Sequence, residues 1–472
     1  MAPEIGFYEK NLLILGVVCF ITYFVDKRIG KGSKSKADTP EDRLENGAKA
    51  GNSAAAAALT RKYLLVYAIV MGADWLQGPY VYSLYREQYQ FPERMVAILF
   101  VTGFLSAGLA APLVGVWADQ HGRRRLCLAF CVTYTLACVC IMIPSIPILL
   151  LGRLMGGVST SILFSAFESW LISAASSSGV SSPELSTIMG RATLTNGLVA
   201  AGSGIVSNKL VGVTSSFASP FVASGALLLL AWVVIRGTWT ENYGSGGGQT
   251  DSDVFQVKRL GQAWSIVKRD PLLMVLGLTQ TCFEGSMYLF VFLWVPSLQE
   301  NSSSTNLPLG YIFSAFMVSM MLGSLCYTIA TNLATRPSAK GVQADSSLTV
   351  HAKFSSIVCA LSALALAGAV GFKDEKRRFW AFCLFEACVG MYYPVQGMLR
   401  GTLISNEHRA TLSSLFRIPL NIFVVVALMT GVSSARYAVL TASALVLSFS
   451  SVMTGLVIVE RSEEHGKPVN GH

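Results

Sequence analysis

The chain has 472 residues, of which 52% are hydrophobic and 13% charged, with a mean hydropathy of +0.52 and a formal net charge of +9. Soluble domains carry about 25% charged residues, so the missing charge and the long apolar runs exclude a soluble core and indicate a multi-span membrane protein. The positive balance is not a nucleic-acid surface, because the Lys and Arg sit in short segments between apolar runs, as the basic loops of membrane proteins do.

In chain order, the first apolar run is "NLLILGVVCFITYFV" at 11–25. Basic residues follow it (Lys27, Arg28, Lys31, Lys34, Lys36), the reverse of a cleavable signal peptide. Residues 1–26 therefore read as an anchor helix, and 27–60 as a loose cytoplasmic linker. Six apolar runs of bilayer length follow, near 61–86, 95–117, 125–143, 146–175, 188–210 and 215–236. Residues 237–270 form a second cytoplasmic linker, with the flexible "YGSGGGQTDSD" and then the basic, Trp-containing "VKRLGQAWSIVKRD", which suggests an amphipathic surface helix. Six more runs lie near 271–298, 309–332, 351–371, 379–400, 409–432 and 436–460, before a cytoplasmic tail at 461–472. The expected bundles are thus 61–236 and 271–460. Asn301-Ser302-Ser303 is a glycosylation sequon in a loop that the charge pattern places outside.

The ten cysteines are scattered, mostly within apolar runs, and show no metal-type spacing. The five histidines (His121, His351, His408, His465, His472) fall in predicted loops, span ends or the tail. "GSGGG" lacks the Lys-Ser/Thr of a phosphate-binding loop. Neither an enzyme, nor a cofactor, nor a metal site is expected.

A weak internal repeat relates the halves. "GRATLTNG" at 190–197 matches "HRATLSSL" at 408–415, and "LQGPY" at 76–80 matches "FEGSM" at 283–287. Two repeated halves with a site near midplane are a plan of secondary transporters. Between the second and third spans lies "GVWADQHGRRR", 115–125. It resembles the gating loop of the major facilitator superfamily, with Gly115 for close packing, Asp119 to hold a helix terminus or an Arg, Gly122 for the turn, and Arg123 and Arg124 on the cytoplasmic side. The corresponding second-half loop, "TNLATRPSAKG", is degenerate. "GRLMGGVSTS" at 152–161 resembles the superfamily's fourth helix. Its Arg153, costly in lipid, is expected to face protein or water, either in a structural ion pair or in proton or substrate coupling. The resemblance implies an all-α membrane protein with the major facilitator fold, two six-helix bundles plus the extra N-terminal anchor.

"ADWLQGPYVYSLY", 73–85, sets polar groups inside the first span. Asp74 lies about 20 Å into it at ~1.5 Å per residue. Asp74, Gln77, Val81 and Tyr85 share one helical face, flanked by Tyr80 and Tyr82, beside a Gly78-Pro79 pair that permits a kink. The seventh span carries Glu284 and Tyr288. The tenth offers Glu386, Tyr392, Tyr393, Gln396 and Arg400, and the eleventh Arg417 and Asn421 beside Pro419. Arg417 sits about 12 Å into its span, where a guanidinium needs a partner that an anion would supply.

"ADWLQGPYVYSLY", "FEGSMYLFVFLW", "YYPVQGMLR" and "RATLSSLFRIPLN" together resemble the molybdate-anion transporter family of that superfamily, over roughly residues 61–460. That resemblance implies secondary active uptake of molybdate, a tetrahedral dianion, by a monomer in the lipid bilayer. The plasma membrane is the expected location, with an internal membrane as the alternative. Gln77, Tyr82, Tyr288, Tyr392, Gln396, Arg417 and Asn421 would donate to the anion. Asp74, Glu284, Glu386 and Arg153 are the proton-coupling candidates. Sulfate would satisfy the same donors, and a transport-inactive sensor or scaffold would share the fold.

Overall fold

The structure, a computed structural model, describes residues 6–34, 46–243, 257–300, 307–334, 347–404, 409–431 and 436–462. The sequon at Asn301, the "GSGGG" linker, the second-half loop from residue 335 and the tail beyond residue 462 fall outside them. No strand occurs among the described residues. The helices open with α1 (Phe7–Lys34), α2 (Asn46–Gln77), α3 (Val81–Ser83), α4 (Glu93–His121), α5 (Arg123–Ile141) and α6 (Ile146–Leu163). They continue with α7 (Ala166–Ser177), α8 (Ser182–Thr214), α9 (Ser219–Thr238), α10 (Val257–Arg269) and α11 (Pro271–Gln299). The last are α12 (Leu309–Ala334), α13 (Ser347–Gly371), α14 (Glu375–Leu403), α15 (Arg409–Gly431) and α16 (Arg436–Met453). Single π-turns follow α3 (Leu84–Gln88) and α16 (Thr454–Val459).

Two compact units result. One contains α2 to α9, and the other contains α1, α10, α11, α12 from Ala315 onward, and α13 to α16. The first provides six passes, the broken helices α2/α3 and α6/α7 counting once each, and the second provides six, α11 to α16, besides α1. Among the described residues, ten stretches are long and apolar enough to cross a membrane. Helices α8 and α14 fall below that mark through their polar content, and α15 offers only the shorter apolar stretch Leu415–Thr430. Large apolar side chains point outward, among them Leu364 (66% exposed) and Leu445 (65%), as a lipid-facing surface requires.

Three local features depart from the sequence reading. Much of 27–60 is helical rather than loose: α1 runs on to Lys34, and α2 begins at Asn46, where five alanines (Ala54 to Ala58) favour the helix. The first span breaks after Gln77, because Pro79 lacks an amide hydrogen and its ring crowds the preceding turn. The chain resumes as α3 and a π-turn. The fourth span also divides, into α6 and α7. There Thr160 and Ser165 hydroxyls donate to the carbonyls of Gly156 and Ser161 at 3.0 and 2.8 Å, a pattern that bends helices.

Helix α8 starts with a capping box. The Ser181 hydroxyl and amide donate to the Glu184 carboxylate at 2.8 and 3.0 Å, and these bonds hold that carboxyl below its ordinary range. Helix α1, first in the chain, belongs to the C-terminal unit. It is held by one stripe, Tyr8, Asn11, Leu15 and Cys19, with Tyr8 donating to Glu375 and stacking edge-on against Phe379.

Candidate functional site

The basic loop between α4 and α5 is built as a cap. Gly122 stands at φ +98 and ψ 134, a region open in practice to glycine alone. The Glu241 carboxylate accepts from the amides of Arg124 (2.8 Å) and Arg125 (3.1 Å), satisfying free donors at the positive end of α5. Arg123 donates to the Ser169 carbonyl at 3.1 Å and Arg124 to the Arg236 carbonyl at 2.8 Å. Nothing in the sequence pointed to Glu241, which sits beyond α9 and reaches the loop only through the fold. The side chain of Asp119 lies outside what the structure describes. A Cβ at Gly122 would come 2.6 Å from the Glu241 carboxyl carbon. Gly122→Ala should therefore lower stability by about 2–3 kcal/mol, the sum of backbone strain and a lost cap. Thermal unfolding of the purified protein in detergent checks this.

In the N-terminal unit, Tyr134 on α5 donates to Asp74 at 2.6 Å. Gln77 donates to Ser224 on α9 at 2.9 Å, and Ser224 donates to the Ala73 carbonyl at 2.6 Å. Gln77 thus ties α2 to α9. Tyr82, past the break, is 2% exposed and donates to Glu93 at 3.4 Å. The fold does not bring Gln77 and Tyr82 together, for the helix break separates them. Arg153 donates from Nε to the Leu99 carbonyl at 3.1 Å and lies 5.3 Å from the Phe100 ring centre. It braces α4 against α6, and its charge also reaches the buried Tyr85.

The C-terminal unit gathers the denser cluster. Arg400, in the last turn of α14, pairs with Glu284 of α11 at 3.0 Å. Tyr392 donates to the same oxygen of Glu284 at 3.2 Å. Gln280, one turn before Glu284, donates to its other oxygen at 3.3 Å. Three donors, one of them a cation, therefore converge on a single carboxylate in the interior of a membrane-spanning unit. Tyr392 is fixed by stacking on Phe283, with centroids 3.9 Å apart and planes 1° from parallel. Both helices are firmly started: Asp270 caps α11 by accepting from Leu272 at 2.9 Å, and Asp374 caps α14 by accepting from Arg377 at 3.3 Å.

The remaining candidates stand around this cluster. Tyr288 lies near enough to Glu284 and Arg417 to feel both charges. Glu386 is buried, and its charge reaches Tyr393, whose hydroxyl donates to Met287 sulfur at 3.3 Å. Gln396 is turned away, donating to Ser355 of α13 at 3.4 Å. Arg417 has an exposed side chain, yet its charge reaches Tyr288. Helix α15 buries Leu412, Phe416, Leu420, Val424 and Leu428 as one stripe, and Arg417, Ile418 and Pro419 lie off it, with Asn421 on the flank. The cation paired within the cluster is Arg400. Sequence reading named it without a partner and passed over Gln280 and Tyr134, although the i, i+4 spacing of Gln280 and Glu284 was visible. An apolar groove between α13 and α16, about 500 Å³ and lined by Ala363, Leu364, Ala367 and Leu445, carries no converging donors.

Comparison with known proteins agrees with this architecture. A family described as sugar transporters with 12 TM matches residues 43–367. The molybdate-anion transporter of Takifugu rubripes is 33% identical over 386 residues, covering 78% of each chain. That of Xenopus tropicalis is 34% identical over 361 residues, covering 75% of each. Among solved structures, the nucleoside transporter NupG superposes with a TM-score of 0.66 at 11% identity, over 85% of this chain and 99% of its own. A bacterial homologue of the lysosomal transporter Spinster gives 0.61 at 11%, over 89% and 99%. These low identities bear on the fold alone. The family match and the curated relatives decide the assignment: this multi-pass membrane chain belongs to the molybdate-anion transporter family of the major facilitator superfamily and is a transporter, not an enzyme.

Proposed function

We propose that this chain takes up molybdate, or a closely similar tetrahedral oxyanion, by proton-coupled alternating access of its two six-helix units in the plasma membrane. The observation that carries the reading is the convergence of Arg400, Tyr392 and Gln280 on the Glu284 carboxylate. A guanidinium with hydroxyl and amide donors suits an anionic oxygen acceptor, and in a low-dielectric interior such charge-assisted bonds are strong. The names of the curated relatives support the same substrate. Tyr288, Arg417 and Asn421 would extend the donor set. Asp74, held by Tyr134, and the buried Glu386 would be further proton carriers.

The test is uptake by purified protein in liposomes. Labelled molybdate should accumulate against its gradient when the side of uptake is acidified. Binding without flux at every imposed gradient would identify a sensor or scaffold of the same fold. Stronger competition by sulfate than by unlabelled molybdate would reassign the substrate.

A further inference from the structure

The basic helix α10 takes no part in the cluster around Glu284, yet it is built as a surface. Its inward contacts are made by Val267, which is 3% exposed, and by Ile266, both set in one core with Leu273 of α11 and with Leu412 and Phe416 of α15. Gly261, Trp264, Ser265, Lys268 and Arg269 are exposed. These five stand at i, i+3, i+4, i+7 and i+8, so they form one outward face. Trp264 is 57% exposed although it is the largest side chain of the helix. A Cβ at Gly261, on the same face, would meet nothing within 4 Å. Residues 257–270 carry Lys258, Arg259, Lys268 and Arg269 against one acid, Asp270. That acid faces the next helix, where it caps α11 by accepting from the Leu272 amide at 2.9 Å. The membrane-spanning stretch of α11 starts directly after it, at Pro271. At ~1.5 Å per residue, Lys268 and Arg269 stand within about 5 Å of that start, and Trp264 about 10 Å from it. The headgroup layer is about 5–7 Å deep on each side of the hydrocarbon. Both cations therefore fall at headgroup depth, with the tryptophan at the edge of that layer.

We propose that the outward face of α10 docks on anionic phospholipid headgroups of the cytoplasmic leaflet, Lys268 and Arg269 binding headgroup phosphates and Trp264 lying at the membrane boundary. The face carries an aromatic ring beside two cations and no acid, the combination that holds a helix at an anionic membrane surface. A guanidinium suits a phosphate oxygen pair, and an ammonium suits it as a point charge. Continuity with α11 supplies the partner, because a face that ends where the bilayer begins has the headgroup layer beside it. Docking there steadies more than α10. Val267 shares its core with Leu399 and Ile404, which bracket Arg400 along the chain. A leaflet that holds α10 thus braces the end of the helix that carries Arg400. This holds whichever anion is carried.

Hydrogen exchange of residues 257–269, measured on the full chain in lipid nanodiscs, tests the surface. Replacing phosphatidylcholine by a mixture with phosphatidylserine should slow amide exchange in α10 severalfold. Added salt should reverse the slowing, since exposed charges are screened beyond about 10 Å at 0.1 M. Each cation near an anionic leaflet contributes about fivefold, so Lys268→Gln combined with Arg269→Gln should lose most of the effect. Lys268→Arg should keep it, and Trp264→Ala should lose part of it. All three side chains are exposed and Val267 is untouched, so these variants should fold. Equal exchange in neutral and anionic discs, or slowing that the double variant retains, would overturn the docking. Slowing abolished by Trp264→Ala but indifferent to lipid charge would mean apolar anchoring alone and would overturn it too. Inorganic phosphate that reproduced the slowing in neutral discs would make the ligand a soluble ion and would also sink the lipid surface.

Discussion

Arg400→Ala should raise the molybdate concentration for half-maximal uptake by about 100-fold or more, or abolish measurable uptake altogether. Two charge-assisted bonds from a guanidinium to an oxyanion are together worth about 3–6 kcal/mol, and about 1.4 kcal/mol corresponds to tenfold in affinity. The variant also strands the Glu284 carboxylate, which in the wild type has Arg400 as its cation at 3.0 Å. That carboxylate keeps 13% side-chain exposure, so the folded protein should survive better than a fully buried, broken ion pair would. Arg400→Lys keeps the charge but loses the planar fork, and it should recover part of the uptake. Uptake kinetics in liposomes, with size-exclusion profiles to show folded protein, distinguish the two variants. Kinetics equal to wild type in Arg400→Ala would remove this residue from the site.

The second large effect is expected at a position with no chemistry. Gly390 of α14 faces α12 so closely that a Cβ there would fall on the Met320 carbonyl oxygen, and Gly323 of α12 meets the Ala387 carbonyl in the same way. The two helix backbones touch through these glycines, as small residues allow in membrane bundles. Gly390→Ala must push the helices apart, with overpacking of about 1–3 kcal/mol or more, and it would shift Glu386 and Tyr392 on the same helix. We expect a clear fall in melting temperature or loss of the monodisperse species in detergent. Gly397→Ala, two turns further along α14 with nothing within 4 Å of its Cβ position, should behave as wild type. Equal melting of both variants would contradict the close crossing.

How legible the protein was differs by level. The six-plus-six plan was readable because lipid demands long, internally hydrogen-bonded apolar segments, and these leave an unmistakable one-dimensional trace. The turn at Gly122 was readable for a similar reason, since a tight basic corner calls for glycine. Within the site, the residue types were largely named, but their partners were not. Gln77 and Glu284 looked like counterparts by position in the repeat. The fold uses one to tie α2 to α9 and makes the other the acceptor of Arg400. Depth along a helix can be counted, as it was for Arg417, whereas the direction a side chain takes around that helix depends on which stripe packs inward. In α15 the inward stripe runs through Phe416 and Leu420, and Arg417 lies off it.

By itself, then, the sequence determined the solvent, the number of passes, the resemblance to a transporter family and the supply of polar groups available inside the membrane. Those properties are local, set by the hydropathy, propensity and spacing of neighbours along the chain. Only the tertiary structure decided that Arg400 belongs to Glu284, that Glu241 caps the helix after the basic loop, and that α1 rests on the C-terminal unit. Each of these joins residues more than a hundred positions apart or helices from opposite ends of the chain, and such pairings follow from how helices pack, which no single helix records.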